Sequence, residues 1–129
     1  MTDKPRILII EDDPPLLMMM VYLLTRAGCE VLTADNGNAG IKLAQENNLD
    51  LITLDIDLPD ISGFEICRRV KQNPRSTRLP VIFISGRACE EDRRRGFELG
   101  AADYIDKPFD ASIFAQKVFS HIKAAQAQV

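Results

Sequence analysis

Apolar positions along this chain fall into two alternating kinds of run. Arg6–Ile10 (RILII) is short, β-branched and almost wholly apolar, the pattern of a strand buried on both faces. The polar stretch Glu11-Asp12-Asp13-Pro14-Pro15 follows, with Asp13 placed as a helix N-cap, Pro14 at the first helical position and Gly28 as the stop. Within that first helix Leu16, Met19, Met20, Leu23, Leu24 and Ala27 keep the i, i+3, i+4, i+7 spacing of a core-facing stripe. The alternation then repeats. Strands are predicted over 30–34, 49–54, 80–84 and 103–105, and helices over 36–47, 62–73, 88–99 and 110–126, with Pro74 and Gly100 as stops. Strands alternating with helices of about a dozen residues predict an α/β domain, a doubly wound parallel sheet with helices on both faces and right-handed crossovers.

Length and composition narrow the setting. At 129 residues, with 46% hydrophobic and 27% charged residues, the chain suits one globular domain over 1–129. The net charge of −3 gives no general pull toward nucleic acid or anionic lipid. No apolar run approaches the roughly 20 residues that cross a bilayer, and Asp3 and Lys4 lead straight into the first strand, unlike a signal peptide. A cytoplasmic protein without a membrane partner is expected. Cys29, Cys67 and Cys89 are far apart and have no CxxC spacing, so reduced thiols packed as small apolar groups are expected.

The chemistry gathers where the strands end. In a parallel sheet all C-terminal strand ends share one edge, and ligands bind there. That edge receives Glu11, Asp12 and Asp13 after the first strand, Asp55 and Asp57 after the third, Ser85 after the fourth, and Lys107-Pro108 after the fifth. Clustered carboxylates raise one another's pKa unless they share a cation, and hard oxygen ligands favour Mg2+. Such an ion is usually completed by phosphate oxygens, and a lysine and a hydroxyl on the same rim can hold the others. The implied chemistry is phosphoryl transfer onto an aspartate.

These motifs resemble the receiver domain of two-component response regulators. The resemblance runs from about Arg6 to Lys123 and rests on Ile-Leu-Ile-Ile-Glu-Asp-Asp, Asp55 with Leu58-Pro59-Asp60 and Gly63, Ile-Ser-Gly-Arg, and Gly-Ala-Ala-Asp-Tyr-Ile-Asp-Lys-Pro-Phe109. It implies a flavodoxin-like (βα)5 fold with strand order 2-1-3-4-5. It further implies that Asp55 accepts the phosphoryl group and that Glu11, Asp12, Asp55 and the Asp57 backbone carbonyl hold Mg2+. Lys107 and Ser85 would bind the phosphoryl oxygens, Tyr104 would be the switch aromatic, and Lys107-Pro108 would be cis. The donor would be a sensor histidine kinase or a histidine phosphotransfer protein, and the readout a downstream protein partner or output domain. Such a protein is a switch that catalyses only its own phosphorylation and dephosphorylation. Asp13 and Asp60 are expected to serve as cap and turn residues, not metal ligands.

The alternative reading is an enzyme. Asp55-Ile56-Asp57 also fits the DxD of haloacid-dehalogenase-like phosphatases, but it follows the third strand, and Leu58-Pro59 stands where a threonine is usual.

Other residues call for their own expectations. Arg93-Arg94-Arg95 follows Glu90 and Glu91 at helix-pair spacing, so a solvated face with Glu90–Arg94 and Glu91–Arg95 pairs is expected instead of a nucleic-acid patch. His121, the only histidine, has no evident metal or phosphotransfer role. Leu17, Met18, Val21 and Tyr22 form a second apolar stripe on the first helix, where such domains commonly carry charge; a docking surface for the histidine-bearing partner is expected. Ala102-Asp103 replaces the family's acidic pair, and the last helix offers Lys117 and Lys123 but no arginine. A strong phosphorylation-driven dimer is therefore not expected. Asp57 and Arg87 flank the path of attacking water in this family, and an ion pair between them would lengthen the life of the acyl phosphate; the opposite possibility is that Asp57 orients that water.

Overall fold

A computed structural model describes residues 4–87 and 89–127. Its elements run β1 (Arg6–Ile10), α1 (Pro14–Arg26), β2 (Glu30–Ala34), α2 (Gly37–Glu46), β3 (Leu51–Leu54), α3 (Gly63–Gln72), β4 (Val81–Ser85), α4 (Glu90–Glu98), β5 (Asp103–Asp106) and α5 (Ala111–Gln126). All strand pairings are parallel, in the order β2-β1-β3-β4-β5. The expected fold and order are therefore present. Bounds shift slightly: Asn36, Asn47, Ser62 and Asn73 become caps of α2 and α3, and β3 starts at Leu51. The predicted start of α4 at Ala88 lies outside the described residues. Gly28 and Gly100 stop α1 and α4 with φ of 98° and 99°.

Alternation along the strands sorts the core into two layers. Leu8, Ile10, Ile52, Leu54, Val81, Phe83 and Tyr104 face one side, against Phe64, Ile66, Cys67 and Val70 of α3 and the apolar side of α2. Ile7, Ile9, Leu51, Ile82, Ile84 and Ile105 face the other, against Met20 and Leu24 of α1 and Phe114, Val118 and Ile122 of α5. Phe83 is fully buried between the rings of Phe64 and Tyr104, with centroids 5.4 and 6.1 Å away. Truncating it to alanine would cost about 3–5 kcal/mol.

Helix α1 keeps most of the predicted stripe and widens it. Nearly every position from Leu16 to Leu24 is apolar, so periodicity leaves the width of the buried face open. Met20 and Leu24 are buried in the inner layer, and Leu16 and Leu23 of the predicted stripe pack against it partly buried, as do Leu17 and Val21 of the second stripe. It packs against α5 as well as the sheet, which widens the face that must be apolar. Ala27 is exposed and Met19 only half-buried. Leu17 and Val21 thus leave the expected docking stripe, and Met18 and Tyr22 remain outside, 72% and 58% exposed.

Two further expectations hold only in part: the thiols are free and Glu90, Glu91, Arg94 and Arg95 are exposed. Cys29 and Cys67 are buried, but Cys89 is exposed at the N-cap of α4. No ion pair joins Glu90 to Arg94 or Glu91 to Arg95 among the described residues. Arg93 instead reaches Asp106 at 2.8 Å, and Arg95 lies 4.3 Å over the Phe64 ring. Tertiary partners win because exposed helix-surface pairs are worth only about 0.2–0.5 kcal/mol.

Candidate functional site

Backbone pairing carried one residue past the strands places the site. Asp55 N–H donates to Ile10 O (3.2 Å) and Lys107 N–H to Ser85 O (2.8 Å), so the ends of β1 with β3 and of β4 with β5 are locked side by side. Gly63 makes the turn after β3 possible. A Cβ there would sit 2.2 Å from the Asp55 carbonyl oxygen, and Gly63 N–H closes the turn on Ile56 O at 2.9 Å.

Glu11, Asp12 and Asp55 bring carboxylate oxygens within 4.8 Å of one another, with Glu11 and Asp55 buried and Asp12 exposed. The Lys107 ammonium lies between the buried pair, 2.9 Å from Glu11 Oε1 and 3.2 Å from Asp55 Oδ2. Asp57 N–H donates to Asp55 Oδ1 (3.2 Å), and Asp13 N–H to Glu11 Oε2 (3.1 Å). Burial raises the Glu11 pKa, and the neighbouring Asp55 charge adds to it, against Lys107 and the Asp13 N–H. Burial alone would lower the Lys107 pKa, but Glu11 and Asp55 outweigh it and raise it.

The donor set suits a hard divalent cation. Three carboxylates converge with one already exposed to water, while a single ammonium is shared by the two buried ones. Asp13 takes the N-cap position of α1 but its side chain makes no capping bond, and its N–H serves Glu11 instead.

Ser85 and Tyr104 are both buried. Ser85 Oγ accepts from Arg87 N–H (3.1 Å), and Tyr104 OH donates to Arg87 O (2.9 Å). Burial is the main cause that raises the Tyr104 pKa. Arg93 braces this tyrosine from α4, donating to its carbonyl at 3.1 Å and lying 5.0 Å over its ring. The Arg87 side chain spans from Asp57 (2.9 Å) to Asp92 (3.3 Å). The Lys107-Pro108 peptide is cis.

The three aspartates after β3 do not simply crowd one another. Asp55 faces Lys107, Asp57 faces Arg87, and Asp60 accepts the N–H groups of Gly37 (2.7 Å) and Asn38 (2.8 Å) at the start of α2. These N–H groups, that of Asn38 first, hold the Asp60 carboxyl below its usual range. Asp60 is therefore a turn residue as expected, with an added reach to α2. The reach of Asp60 to α2 and the roles of Asp92 and Arg93 had no signal in the sequence, because their partners come from other elements or from unremarkable helix positions. His121 is a structural partner, its Nε2 2.8 Å from Asp103 Oδ2.

Comparison with known proteins agrees with this arrangement. Residues 7–119 match the family model described as "Response regulator receiver domain". The chain is 38% identical over 125 residues to the phosphate regulon transcriptional regulatory protein PhoB of Rhizobium meliloti, covering 97% of this chain and 55% of that protein. It thus spans about half the length of the curated relatives it matches. Among solved structures, a CheY-like response regulator receiver domain protein of Methanospirillum hungatei superposes with a TM-score of 0.93 at 25% identity, over 98% of this chain and 100% of that one. The receiver domain of a sensor histidine kinase of Pseudomonas aeruginosa superposes with a TM-score of 0.86 at 25% identity, over 94% of this chain and 99% of that one; its crystal structure has magnesium coordinated in the active-site cleft.

Proposed function

Because this chain belongs to the response regulator receiver domain family, we propose that it is the phosphoacceptor switch of a two-component phosphorelay, with Asp55 as the acceptor. The observation that carries this reading is the Lys107 ammonium placed against both Asp55 and Glu11 at the meeting point of β1, β3 and β5. A carboxylate held there has a cation beside it where phosphoryl charge would develop.

In the proposed reaction an Asp55 carboxylate oxygen attacks the phosphorus of a phosphohistidine. A P–O bond forms, the P–N bond breaks, and the departing imidazole nitrogen keeps the electron pair and takes a proton. Glu11, Asp12, Asp55 and the Asp57 carbonyl would hold Mg2+, which would offset charge on the phosphoryl oxygens. Lys107 binds one of those oxygens, and the Ser85 hydroxyl turns from accepting Arg87 N–H to donating to another. A phosphoryl group adds a charge of about −1.5 to −2. Drawing Ser85 toward it disturbs the contact between Ser85 and Arg87, and Arg87 O is also where Tyr104 OH is bound. The loop before α4 is thereby coupled to the acceptor.

The donor is a sensor histidine kinase or a histidine phosphotransfer protein, in the cytoplasm, and the readout is a downstream protein partner or an output domain; this domain itself does not bind nucleic acid. No helix among the described residues is long and apolar enough to cross a membrane. Labelling with a small phosphodonor in Mg2+, followed by mass mapping, tests the reading. Phosphate is expected on Asp55 and absent in Asp55→Asn, without turnover of a generic phosphate ester. Equal labelling of Asp55→Asn would reject Asp55, and ester turnover would favour a phosphatase.

A further inference from the structure

The segment from Asp55 to Ser62 carries the site's third strand end into α3. Its far end is well held, by Gly63 N–H on Ile56 O and by Ser62 Oγ accepting Phe64 N–H at 3.1 Å. Its middle is held differently. Asp60 leaves its own loop and accepts two N–H groups from the start of α2, 22 and 23 residues earlier in the chain, and also the N–H of Ile61 at 2.9 Å.

The first turn of a helix always carries N–H groups without partners inside the helix. In α2, Ala39 is served by the helix's own cap, Asn36 Oδ1 (2.9 Å), whereas Gly37 and Asn38 are served by the carboxylate from the acceptor loop. Packing supports the same junction. A Cβ on Gly37 would lie 2.4 Å from Ile61 Cγ1, so the glycine lets the loop rest directly on the helix.

We propose that Asp60 is a positioning residue for the acceptor site: by clamping the loop after β3 onto the first turn of α2, it sets the placement of the Asp57 main chain and so the affinity of the site for a divalent cation. The inference rests on the reading that Glu11, Asp12, Asp55 and the Asp57 carbonyl hold that cation. Asp60 is three residues from Asp57, and Asp57 N–H already touches Asp55 Oδ1, so slack in the loop moves both the carbonyl and the acceptor. The coupling is reciprocal by linkage: a cation that favours the ordered loop also favours an ordered start of α2.

Calorimetric titration of Mg2+ into the wild type, Asp60→Ala and Asp60→Asn, with amide exchange followed at Gly37 and Asn38, tests this. Loss of a capping carboxylate typically corresponds to a factor of about five, and to about thirty at most. Asp60→Ala is expected to weaken Mg2+ binding about five- to tenfold and to abolish any Mg2+-dependent protection at those amides. Asp60→Asn keeps an accepting oxygen and is expected to stay within about threefold of the wild type. Asn47→Ala removes a bond at the other end of α2, from its Nδ2 to Leu43 O (2.9 Å), and serves as the control for plain destabilisation; it is expected to leave Mg2+ affinity unchanged. Wild-type affinity in Asp60→Ala, or an equal loss in Asn47→Ala, would overturn the inference. If Asp60→Ala does not fold, Asp60→Ser, whose hydroxyl is too short to serve both N–H groups, makes the same comparison with Asp60→Asn. Absence of Mg2+ binding by the wild type would overturn the metal reading together with the inference built on it.

Discussion

Arg87 grips Asp57 with two nitrogens on one edge of its guanidinium, Nη2 at 2.9 Å from Oδ1 and Nε at 3.2 Å from Oδ2, across 30 residues of sequence. Asp57 follows the proposed acceptor Asp55 by two residues and donates its N–H to it, and Asp92 holds the same guanidinium from α4. Both side chains are about half exposed, 49% and 56%, so water and salt screen the contact and it is weak. As a gate against water it would change hydrolysis of the acyl phosphate by about fivefold or less. In saturating Mg2+, Asp57→Asn and Arg87→Ala are each expected to dephosphorylate faster, and the double variant little faster than either. Slower hydrolysis in Asp57→Asn would give its carboxylate a catalytic part instead.

Met18 and Tyr22 are the two large apolar side chains that α1 leaves most exposed. Met18→Glu with Tyr22→Glu is expected to slow phosphoryl transfer from the cognate histidine-bearing donor, with labelling by a small phosphodonor unchanged. Equal loss of both would remove the docking role. Leu17→Glu and Val21→Glu should behave otherwise and lower the urea midpoint, because those side chains pack on the core.

Asp103 is already engaged within the chain by His121. Together with the absence of arginine from α5, this leaves the β5–α5 face poorly supplied for charge pairing between two copies. Sedimentation of the protein with and without a beryllofluoride mimic should show a monomer in both states. A clean shift to a dimer through that face would contradict this and would reopen a direct transcriptional output.

Glu65 on α3 is held by Arg68 and Arg69, which lower its pKa from 4.5 to about 2. A carboxyl depressed in the folded state contributes stability above its unfolded pKa and loses it as pH falls toward the folded value. Between pH 4.5 and 2 the wild type should therefore lose stability that Glu65→Gln never had. Urea midpoints followed down this range are expected to converge. The difference at neutral pH will be small, since the group is exposed. Unchanged curvature in Glu65→Gln would assign the acid limb elsewhere.

Much of the site was legible because it depends on order along the chain. A parallel sheet puts every strand's C-terminal end on one edge, so Glu11, Asp12, Asp55, Ser85 and Lys107 could be brought together from the alternation alone. Their partners within the site then follow from backbone pairing, as with Asp55 on Ile10 and Lys107 on Ser85. Side chains that answer to another element were not legible. Arg93 had a plausible helix-surface reading, yet it turns to Tyr104 and Asp106; Cys89 had a plausible core reading, yet it caps an exposed helix end.

The sequence by itself determined the alternation of strand and helix, the parallel sheet and the residues that end each strand. Those depend on local periodicity and on a backbone whose hydrogen bonds must be met. Only the tertiary structure decided how wide the buried face of α1 is, because an almost continuously apolar helix leaves that width open and α5 packs against it beside the sheet. It also decided that Asp55, Asp57 and Asp60, close in sequence and of one charge, part company toward Lys107, Arg87 and the start of α2. Distinct partners stand in distinct directions for these like charges, and they come from the residue after β5, the loop after β4, and the start of α2.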